Sequence, residues 1–383
     1  MRILYLSGGN LAKKRGYTVH TAELARNFEK LGAEILVYAP SLGRFKGEGF
    51  RIAYAPTVNV RILRPVSFRL SLGAMLFFRL LFYGADIIYV REIPLFLAPF
   101  IMGRIFKKPT VIEVNDVAID GFIGRPKNVF SRLKFYMRKI SFLLSYRIIV
   151  ANRQAKEILS EKYGICPDKF AVIPMGVNTD LFRPMDKNKC KDVLGLKEGV
   201  NYVVFAGTLY EFQGLRYLVE AAHLVLRKKR NVKFLVVGSG AEEKKLNSLV
   251  KRKNLAESFI FAGEKDYGVI PYYINSGDIC VSLVTPERSR SFSFPLKIYE
   301  YLACARPVVA GNIKNASELL KRTVTPVVEA TDPGILSNAI IEILECSSAL
   351  KAESEQLRRL VAERFTWQKT AEKTLDLFRS LQK

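Results

Sequence analysis

The sequence is poor in the residues that bind metals or cross-link chains. Its 383 residues include two histidines and five cysteines. The cysteines are scattered and form no C-x-x-C pair: Cys166, Cys190, Cys280, Cys304 and Cys346. An odd, scattered set indicates reduced thiols in a cytosolic compartment and argues against a zinc site or a disulfide framework. With only His20 and His223, a histidine-rich metal centre is excluded as well.

Targeting and cofactor signals are also missing. Met1-Arg2 leads directly into a strand-like run, so we expect no secretory signal. The most apolar region, residues 65–90, is interrupted by Arg69, Arg79 and Asp86, so we expect no transmembrane helix. No strand is followed by the G-x-G-x-x-G spacing of a Rossmann fingerprint, which disfavours a dehydrogenase.

Acidic residues are scarce beside basic ones. There are 60 Lys and Arg against 36 Asp and Glu, giving a net charge of +24. No acidic residue lies between Glu48 and Asp86 or between Asp120 and Glu157, although both stretches contain several basic residues. Such blocks attract phospholipid headgroups, a nucleic-acid backbone or a pyrophosphate substrate. A nucleic-acid-binding protein fits the charge, but no recognised binding motif accompanies it.

One basic stretch, residues 128–145, has helical periodicity. Its apolar stripe is Phe130, Leu133, Met137, Ile140 and Leu144, and its basic residues are Arg132, Lys134, Arg138 and Lys139. Two interpretations remain open at this point: a helix that lies on an anionic membrane, and an ordinary surface helix.

The chain alternates strand-like and helical segments. A strand at 3–7, a helix at 18–31 that ends at Gly32, and a strand at 33–39 predict an α/β domain with a doubly wound sheet. The pattern restarts with a strand at 202–206, and the chain is long enough for two cores. We expect domains at 1–180 and 186–364, with a final helix at 365–383.

Residues 289–311 combine features suited to a nucleoside diphosphate. A hydroxyl-rich loop leads to Pro295, where a helix should start, and residues 308–311 read as a buried strand. Free N–H groups of the loop and Lys297 would face phosphate, and Glu300 would accept hydrogen bonds from ribose hydroxyls.

This stretch, with its P-L-K-x-x-E-Y-L-A motif and the run from Cys304 to Val309, resembles the donor-site signature of the retaining GT-B glycosyltransferases of family 4. Residues 172–182 resemble the family's interdomain segment, and the likeness covers nearly the whole chain. Glu300 matches the second signature glutamate, whereas Phe292 replaces the first. The resemblance implies two Rossmann-like domains that face a central cleft. The final helix would cross back to the N-terminal, acceptor-binding domain, and the C-terminal domain would bind the donor.

The resemblance also implies which residues contact the donor. These are Gly16, Gly207, Thr208, Gln213, Gly238, Gly240, Gly263, Glu264, Ser291, Ser293, Phe294, Pro295, Leu296, Lys297 and Glu300. Thr208 and Gln213 occupy places where relatives have an arginine and a lysine that hold the diphosphate. We expect Lys297 to replace one of these cations, and Arg288 or Arg290 to replace the other.

Four residues are the candidates for catalysis. Lys297 and Glu300 would act at the donor, Asp116 follows the predicted strand 109–114, and His20 follows the loop that contains Gly16. The resemblance places Asp116 near the reacting sugar, where it would orient the acceptor hydroxyl or stabilise the transition state. A turn or helix-cap aspartate and a structural histidine remain the alternatives for Asp116 and His20.

The resemblance implies a retaining glycosyltransferase that moves a sugar from a UDP-sugar or GDP-sugar to a hydroxyl of a glycan or lipid-linked acceptor in cell-envelope polysaccharide or glycoconjugate synthesis. No bound cofactor is expected, and the absence of a D-x-D motif agrees with a site that needs no metal. The protein would be cytoplasmic and peripheral on the membrane. The alternatives are a non-catalytic GT-B partner with a degenerate donor site and a nucleotide-sugar epimerase.

Overall fold

The computed structural model describes residues 1–12, 16–45, 47–114, 128–286, 295–311, 313, 326–346 and 349–382. The chain divides into two compact units. One contains Met1–Met175 and Trp367–Lys383, and the other contains Gly176–Thr366.

The first unit is built on a parallel sheet of seven strands. They are β1 (Arg2–Ser7), β2 (Glu34–Pro40), β3 (Arg51–Ala55), β4 (Ile87–Arg91), β5 (Thr110–Val114), β6 (Arg147–Val150) and β7 (Phe170–Val172). Their order is β3-β2-β1-β4-β5-β6-β7. All residues of β4 and β5 are buried, as expected for parallel strands covered on both faces.

Helices cover both faces of this sheet. They are α1 (Gly16–Lys30), α2 (Arg64–Phe82), α3 (Ala98–Ile105), α4 (Val129–Leu144), α5 (Arg153–Tyr163) and the C-terminal helix (Trp367–Ser380). Side chains of α1 and the C-terminal helix, such as Phe28 and Phe378, share one core. Side chains of α2 to α5, such as Leu72, Phe142 and Leu159, form the core on the opposite face.

The second unit repeats the architecture with six parallel strands. They are β8 (Asn201–Ala206), β9 (Val232–Val237), β10 (Phe259–Gly263), β11 (Ile279–Leu283), β12 (Val308–Gly311) and β13 (Val327–Val328), in the order β10-β9-β8-β11-β12-β13. The described helices here are Lys187–Val193, Leu215–Lys228, Glu243–Arg252, Ile270–Ser276, Leu296–Ala303, Pro333–Glu345 and Ala349–Arg364. Two apolar cores lie on the two faces of the sheet.

The predicted fold class is confirmed. Each unit is a doubly wound parallel α/β sheet, and the final helix packs on the first unit as predicted. In each sheet the strand order reverses once, between β1 and β4 and between β8 and β11. We call each of these places the switch point of its sheet. Open α/β sheets bind ligands outside the carboxyl ends of the strands at such points.

Sequence patterning did not predict helix α2 (Arg64–Phe82). By length and composition alone it could cross a membrane, with 19 residues and a mean hydropathy of 1.4. The two arginines that argued against this, Arg69 and Arg79, are too few to break the apolar run. However, Phe68, Leu72, Leu76 and Leu80 on its inner side belong to the domain core.

Candidate functional site

Glycines shape the loops at the carboxyl ends of β8 and β9. A Cβ on Gly238, whose φ is +134°, would lie 1.9 Å from the carbonyl oxygen of Gly207, and one on Gly240 would lie 2.3 Å from that of Leu209. Backbone hydrogen bonds join the loops, because Gly207 N–H donates to Val237 and Leu209 N–H donates to Ser239. The two loops can approach this closely only without side chains at those glycines.

Lys297 lies in the first turn of the helix Leu296–Ala303 and points at the loop after β8. Its Nζ donates to Gln213 Oε1 at 2.7 Å and lies 4.0 Å from the ring centroid of Phe205. A Cβ on Gly207 would lie only 2.8 Å from the same Nζ. The predicted lysine and the predicted loop are therefore brought together at the switch point between β8 and β11.

Burial changes the protonation of Lys297 and Glu300. Loss of water around Lys297 lowers its pKa to about 7, although the carboxylate of Glu300 partly opposes this shift. Burial raises the pKa of Glu300 to about 7, against the opposing effects of Lys297 and of the Tyr267 hydroxyl, which donates to Glu300 Oε1 at 3.1 Å. Desolvation disfavours the charged form of both groups. An anion beside Lys297 would therefore favour its charged form.

Three aromatic residues of the site were not predicted to play a part in it. Phe205 provides an aromatic face for Lys297, and Tyr267 holds Glu300. The side chain of Tyr301 is fully buried. Its hydroxyl accepts from Ala206 N–H at 2.9 Å, so it fixes the end of β8 just before Gly207. No periodicity in the sequence distinguishes such contacts, because they depend on which strand lies beside the helix.

The remaining described donor-site candidates of the second unit line the same sheet edge, whereas Gly16 belongs to the first unit. Thr208 is half-buried, and Gly238 N–H donates to the carbonyl of Gly263 at 2.8 Å. The hydroxyl of Ser239 donates to Glu264 Oε2 at 2.9 Å. Pro295 precedes the first residue of the helix, Leu296, with extended backbone. The loops after β8, β9 and β10 and one helix start thus form one continuous edge.

His20 occupies a different environment. It is fully buried in the first unit, with Nε2 2.8 Å from Glu113 Oε1 and its ring 4.9 Å from that of Trp367. Burial and the nearby Arg91 lower the pKa of His20. Burial alone would raise the pKa of Glu113, but its polar neighbours, led by His20, hold it below the usual range. A neutral imidazole that donates to an ionised carboxylate fits both shifts and favours the structural role.

Arg91, the last residue of β4, lies beside the first unit's switch point and contacts the start of α1. Its guanidinium donates to the carbonyl of Tyr17 at 2.7 Å and to the hydroxyl of Thr21 at 3.0 Å. It also lies 3.9 Å from the centroid of the Tyr17 ring. Gly16 precedes Tyr17 as the exposed first residue of α1. Sequence reasoning missed Arg91, because nothing local marks a strand-end arginine.

Several candidates lie outside the described residues. These are Asp116, Arg288, Arg290, Ser291, Phe292, Ser293 and Phe294. Within the described ranges, no group of three or more His, Cys, Asp or Glu side chains is placed to hold a metal ion.

Two family models match the chain, one in each unit. The model described as "Glycosyltransferase Family 4" matches residues 14–181, and the model described as "Glycosyl transferases group 1" matches residues 200–346. The family suggested by the 289–311 stretch is therefore found over most of the chain.

Among curated relatives, the D-inositol 3-phosphate glycosyltransferase of Paenarthrobacter aurescens is 28% identical over 239 residues, which is 60% of this chain and 57% of that protein. The matched region thus spans about half the length of such relatives. Among solved structures, sucrose-phosphate synthase from Thermosynechococcus elongatus has a TM-score of 0.82 at 18% identity, over 99% of this chain and 98% of that chain. Anabaena HepE in complex with UDP has a TM-score of 0.78 at 18% identity, over 99% and 100%. These structures share the GT-B fold with this chain.

Proposed function

The chain belongs to the family 4, group 1 glycosyltransferases, and we propose that it transfers a sugar from a nucleotide diphosphate sugar to a hydroxyl of a glycan or lipid-linked acceptor. The donor would bind at the carboxyl ends of β8, β9 and β10. The observation that carries this proposal is the buried Lys297, which lies beside Gln213 at the switch point of the second sheet.

The chemical demand of the reaction explains why a buried cation matters. Breaking the bond between the sugar and the diphosphate leaves negative charge on the departing oxygen. A preorganised hydrogen-bond donor in a site that excludes water stabilises such charge better than water does. Lys297 would donate that hydrogen bond, and Glu300, which accepts one from Tyr267, would accept others from the ribose hydroxyls. UDP or GDP would be the leaving group, and Anabaena HepE, which shares the fold, was solved with UDP-glucose.

The finer features of the proposal come from the family resemblance. We propose transfer with retention of anomeric configuration, without a metal ion or a bound cofactor, in cell-envelope polysaccharide or glycoconjugate synthesis. The enzyme would work in the cytoplasm, on the face of the membrane that carries lipid-linked acceptors. Asp116 would orient the acceptor hydroxyl.

Ligand-induced stabilisation tests the donor site directly. Purified protein would be melted with UDP, GDP, ADP and CMP and with their common sugars, because a ligand that binds only the folded state raises the melting temperature. We expect one nucleotide family to stabilise the protein and Lys297→Ala to abolish the effect. Lys251→Ala, at an exposed lysine of the same unit, is the matched control.

A transfer assay with the stabilising donor then separates an enzyme from a non-catalytic relative. Loss of one preorganised hydrogen-bond donor to a developing oxyanion lowers kcat by about 10²–10³-fold in other enzymes, so Lys297→Ala should have an effect of at least that size. Wild-type transfer by both Lys297→Ala and Glu300→Gln would exclude this site. No stabilisation by any nucleotide, from a folded sample, would favour the non-catalytic partner with a degenerate donor site.

A further inference from the structure

Helix α2 exposes an apolar face to solvent. Its inner side is buried in the core of the first unit through Phe68, Leu72, Leu76 and Leu80. From Val66 to Tyr83, every exposed residue is apolar or aromatic: Val66, Leu70, Ala74, Phe77, Phe78, Leu81, Phe82 and Tyr83. A helix on the surface of a soluble domain normally presents charged and polar residues on this side.

Helix α4 also exposes apolar residues to solvent. Its exposed residues are Val129, Phe130, Arg132, Leu133, Tyr136, Ile140 and Leu143. The predicted apolar stripe therefore faces outwards at Phe130, Leu133 and Ile140. One predicted surface cation faces inwards instead, because Arg138 is buried and pairs with Glu92 at 2.6 Å. A buried ion pair beneath an exposed apolar stripe is the reverse of a typical surface helix.

These helices lie side by side on one face of the sheet. Side chains of α2, α3 and α4 share a single core, and the rings of Phe77 and Phe106 pack 5.8 Å apart at the junction of α2 and α3. Arg104 of α3 donates to the carbonyl of Leu144 at the end of α4. Of the 26 large apolar side chains exposed in the described residues, 20 lie in three segments around these helices. We call residues 58–83, 98–108 and 128–147 the outer helical layer.

The charge of the outer helical layer has one sign. Its residues include twelve Lys or Arg and no Asp or Glu. They are Arg61, Arg64, Arg69, Arg79, Arg104, Lys107, Lys108, Arg132, Lys134, Arg138, Lys139 and Arg147. Arg138 is buried against Glu92, and several of the others lie beside exposed rings, as Lys134 does 4.8 Å from the centroid of Phe130. Aromatic and aliphatic side chains mixed with cations of one sign complement an interface of acyl chains and anionic headgroups.

We propose that the outer helical layer is a membrane-docking surface, on which α2, α3 and α4 lie in the plane of an anionic phospholipid bilayer. The neighbouring α5 provides the contrast, because its exposed residues include Arg153, Glu157 and Glu161, with charges of both signs. Monomeric soluble proteins rarely expose large contiguous apolar patches, so this face needs a partner. The charged residues of the layer are all basic, so two copies of this surface would repel each other across a symmetric interface, whereas an anionic bilayer would attract it.

The proposal deepens the peripheral location proposed above and names the surface that meets the lipid. It also places α2 parallel to the bilayer plane, not across the bilayer. Although α2 is long enough to cross a bilayer, its inner residues are part of the folded core, and crossing would require that core to open. Docking does not depend on which donor or acceptor the enzyme uses, so vesicle binding and sugar transfer are separate readouts.

Vesicle flotation tests the surface. The full chain would be mixed with phosphatidylcholine vesicles and with vesicles that contain about 30 mol % phosphatidylglycerol, whose anionic headgroups attract basic residues. We expect strong flotation with the anionic vesicles, weaker flotation in about 1 M salt because exposed charges are then screened, and release by alkaline carbonate. Equal binding to both lipids, or protein that resists carbonate as a spanning helix does, would overturn the proposal.

Two sets of variants separate the apolar and the electrostatic contributions. Phe78→Ser, Phe82→Ser and Leu133→Ser together should abolish flotation at every salt concentration. The matched control changes exposed apolar residues of the other unit, Val193→Ser and Ile335→Ser. Both proteins should keep the nucleotide-induced rise in melting temperature, which shows that they are folded.

The charge set is Arg61→Gln, Lys107→Gln and Arg132→Gln, at exposed residues. Each basic residue near an anionic surface changes partitioning about fivefold, so together they should lower partitioning to anionic vesicles by about 10²-fold. Lys251→Gln, Arg252→Gln and Lys253→Gln remove the same charge from the second unit and should have little effect.

The single tryptophan of the chain, Trp367, is buried and makes a fluorescent reporter possible. Phe78→Trp should shift to shorter wavelength on anionic vesicles and be quenched by brominated acyl chains, whereas Val193→Trp should not. No quenching of Phe78→Trp would overturn the proposal. Sedimentation without lipid offers a second way to overturn it. If the wild-type protein is a dimer and the triple serine variant is a monomer, the outer helical layer is an interface between copies of this chain.

Discussion

Lys297 and Gln213, which are 84 residues apart in sequence, meet through a 2.7 Å hydrogen bond between Nζ and Oε1. Gln213 stands where the family resemblance places a lysine. The ammonium of Lys297 thus reaches the position that lost its cation, and Gln213 holds it there. Because Gln213 is neutral, Lys297 keeps capacity to bind an anion, which a carboxylate at position 213 would use up.

Substitutions of Gln213 should distinguish positioning from charge. Gln213→Glu would pair with Lys297, raise its pKa and repel a diphosphate. We expect the free protein to melt higher at pH 8 and the nucleotide-induced rise in melting temperature to shrink. Gln213→Leu would leave Lys297 without its hydrogen-bond partner. It should lower both the melting temperature of the free protein and the nucleotide-induced rise in melting temperature. Unchanged nucleotide-induced stabilisation in both variants would show that the contact does not serve the donor.

Donor binding should be coupled to proton uptake above neutral pH. The pKa of Lys297 is about 7 in the free protein, so at pH 8 most molecules carry a neutral amine. A diphosphate favours the ammonium and raises that pKa, and binding then takes up close to one proton. Calorimetric titration of the stabilising nucleotide sugar at pH 8, in buffers of different ionisation enthalpy, measures the uptake.

The control for this experiment is Glu300→Gln, which should keep the uptake at pH 8 because Glu300, with a pKa of about 7, is already mostly ionised there. Lys297→Met should lose the proton uptake on binding, because methionine does not titrate. Proton release at pH 8 by the wild-type protein would contradict the assignment of Lys297 to the phosphates.

Stability should fall on acidification because of His20 and Glu113. The pKa of His20 is lowered by folding, so the unfolded chain binds more protons below pH 6.5, the ordinary value, and the free energy of unfolding falls there. The folded-state pKa of Glu113 lies below the ordinary 4.5, so its contribution is present above pH 4.5 and is lost as pH falls further. Urea unfolding between pH 2 and 8 measures both effects.

His20→Gln isolates the first of these effects, since glutamine offers a donor near the position of Nε2 but does not titrate. The decline in stability between pH 6.5 and 4.5 should become smaller in this variant. Glu113→Gln, which removes the ionised carboxylate facing the neutral imidazole, should lower the free energy of unfolding by about 1.5–3 kcal/mol at pH 7. Full transfer activity in His20→Gln would also exclude a catalytic role for this histidine.

The glycine at position 238 should tolerate no side chain. A Cβ there would overlap the carbonyl oxygen of Gly207 at 1.9 Å, and the backbone has a φ of +134°. We expect Gly238→Ala to lower the free energy of unfolding by at least about 2 kcal/mol, as strained backbone positions do, and to abolish nucleotide-induced stabilisation. Gly268→Ala is the control, because nothing lies within 4 Å of its added Cβ. Equal melting temperatures in the two variants would contradict the close approach of the two loops.

Most of the fold was predictable from local patterns. Strands such as β5 and β8 are short apolar runs, and helices such as α1 end at a glycine, so their types follow from sequence. The strand Arg51–Ala55 was not predicted; it lies at the sheet edge, where only Ala55 is buried. Helix α2 was missed because apolar residues on both of its sides hide the helical period.

The donor site was predicted in composition but not in contacts. Lys297, Glu300 and the glycines after β8 and β9 were named from their order in the chain. Phe205, Tyr267 and Tyr301 were not, because their roles arise only when the helix Leu296–Ala303 lies beside β8. The fate of His20 was likewise left open, and its burial against Glu113 and Trp367 depends on two distant segments.

The sequence by itself determined the alternation of strands and helices, the two basic stretches without acidic residues and the identity of the candidate donor residues. Each follows from short-range patterns, which need only neighbouring residues. Only the tertiary structure decided that Lys297 meets Gln213, that Arg138 turns inwards to Glu92, and that the apolar side chains of α2 and α4 face outwards. Parallel strand order and helix packing set these contacts, because they bring together residues that no local period relates.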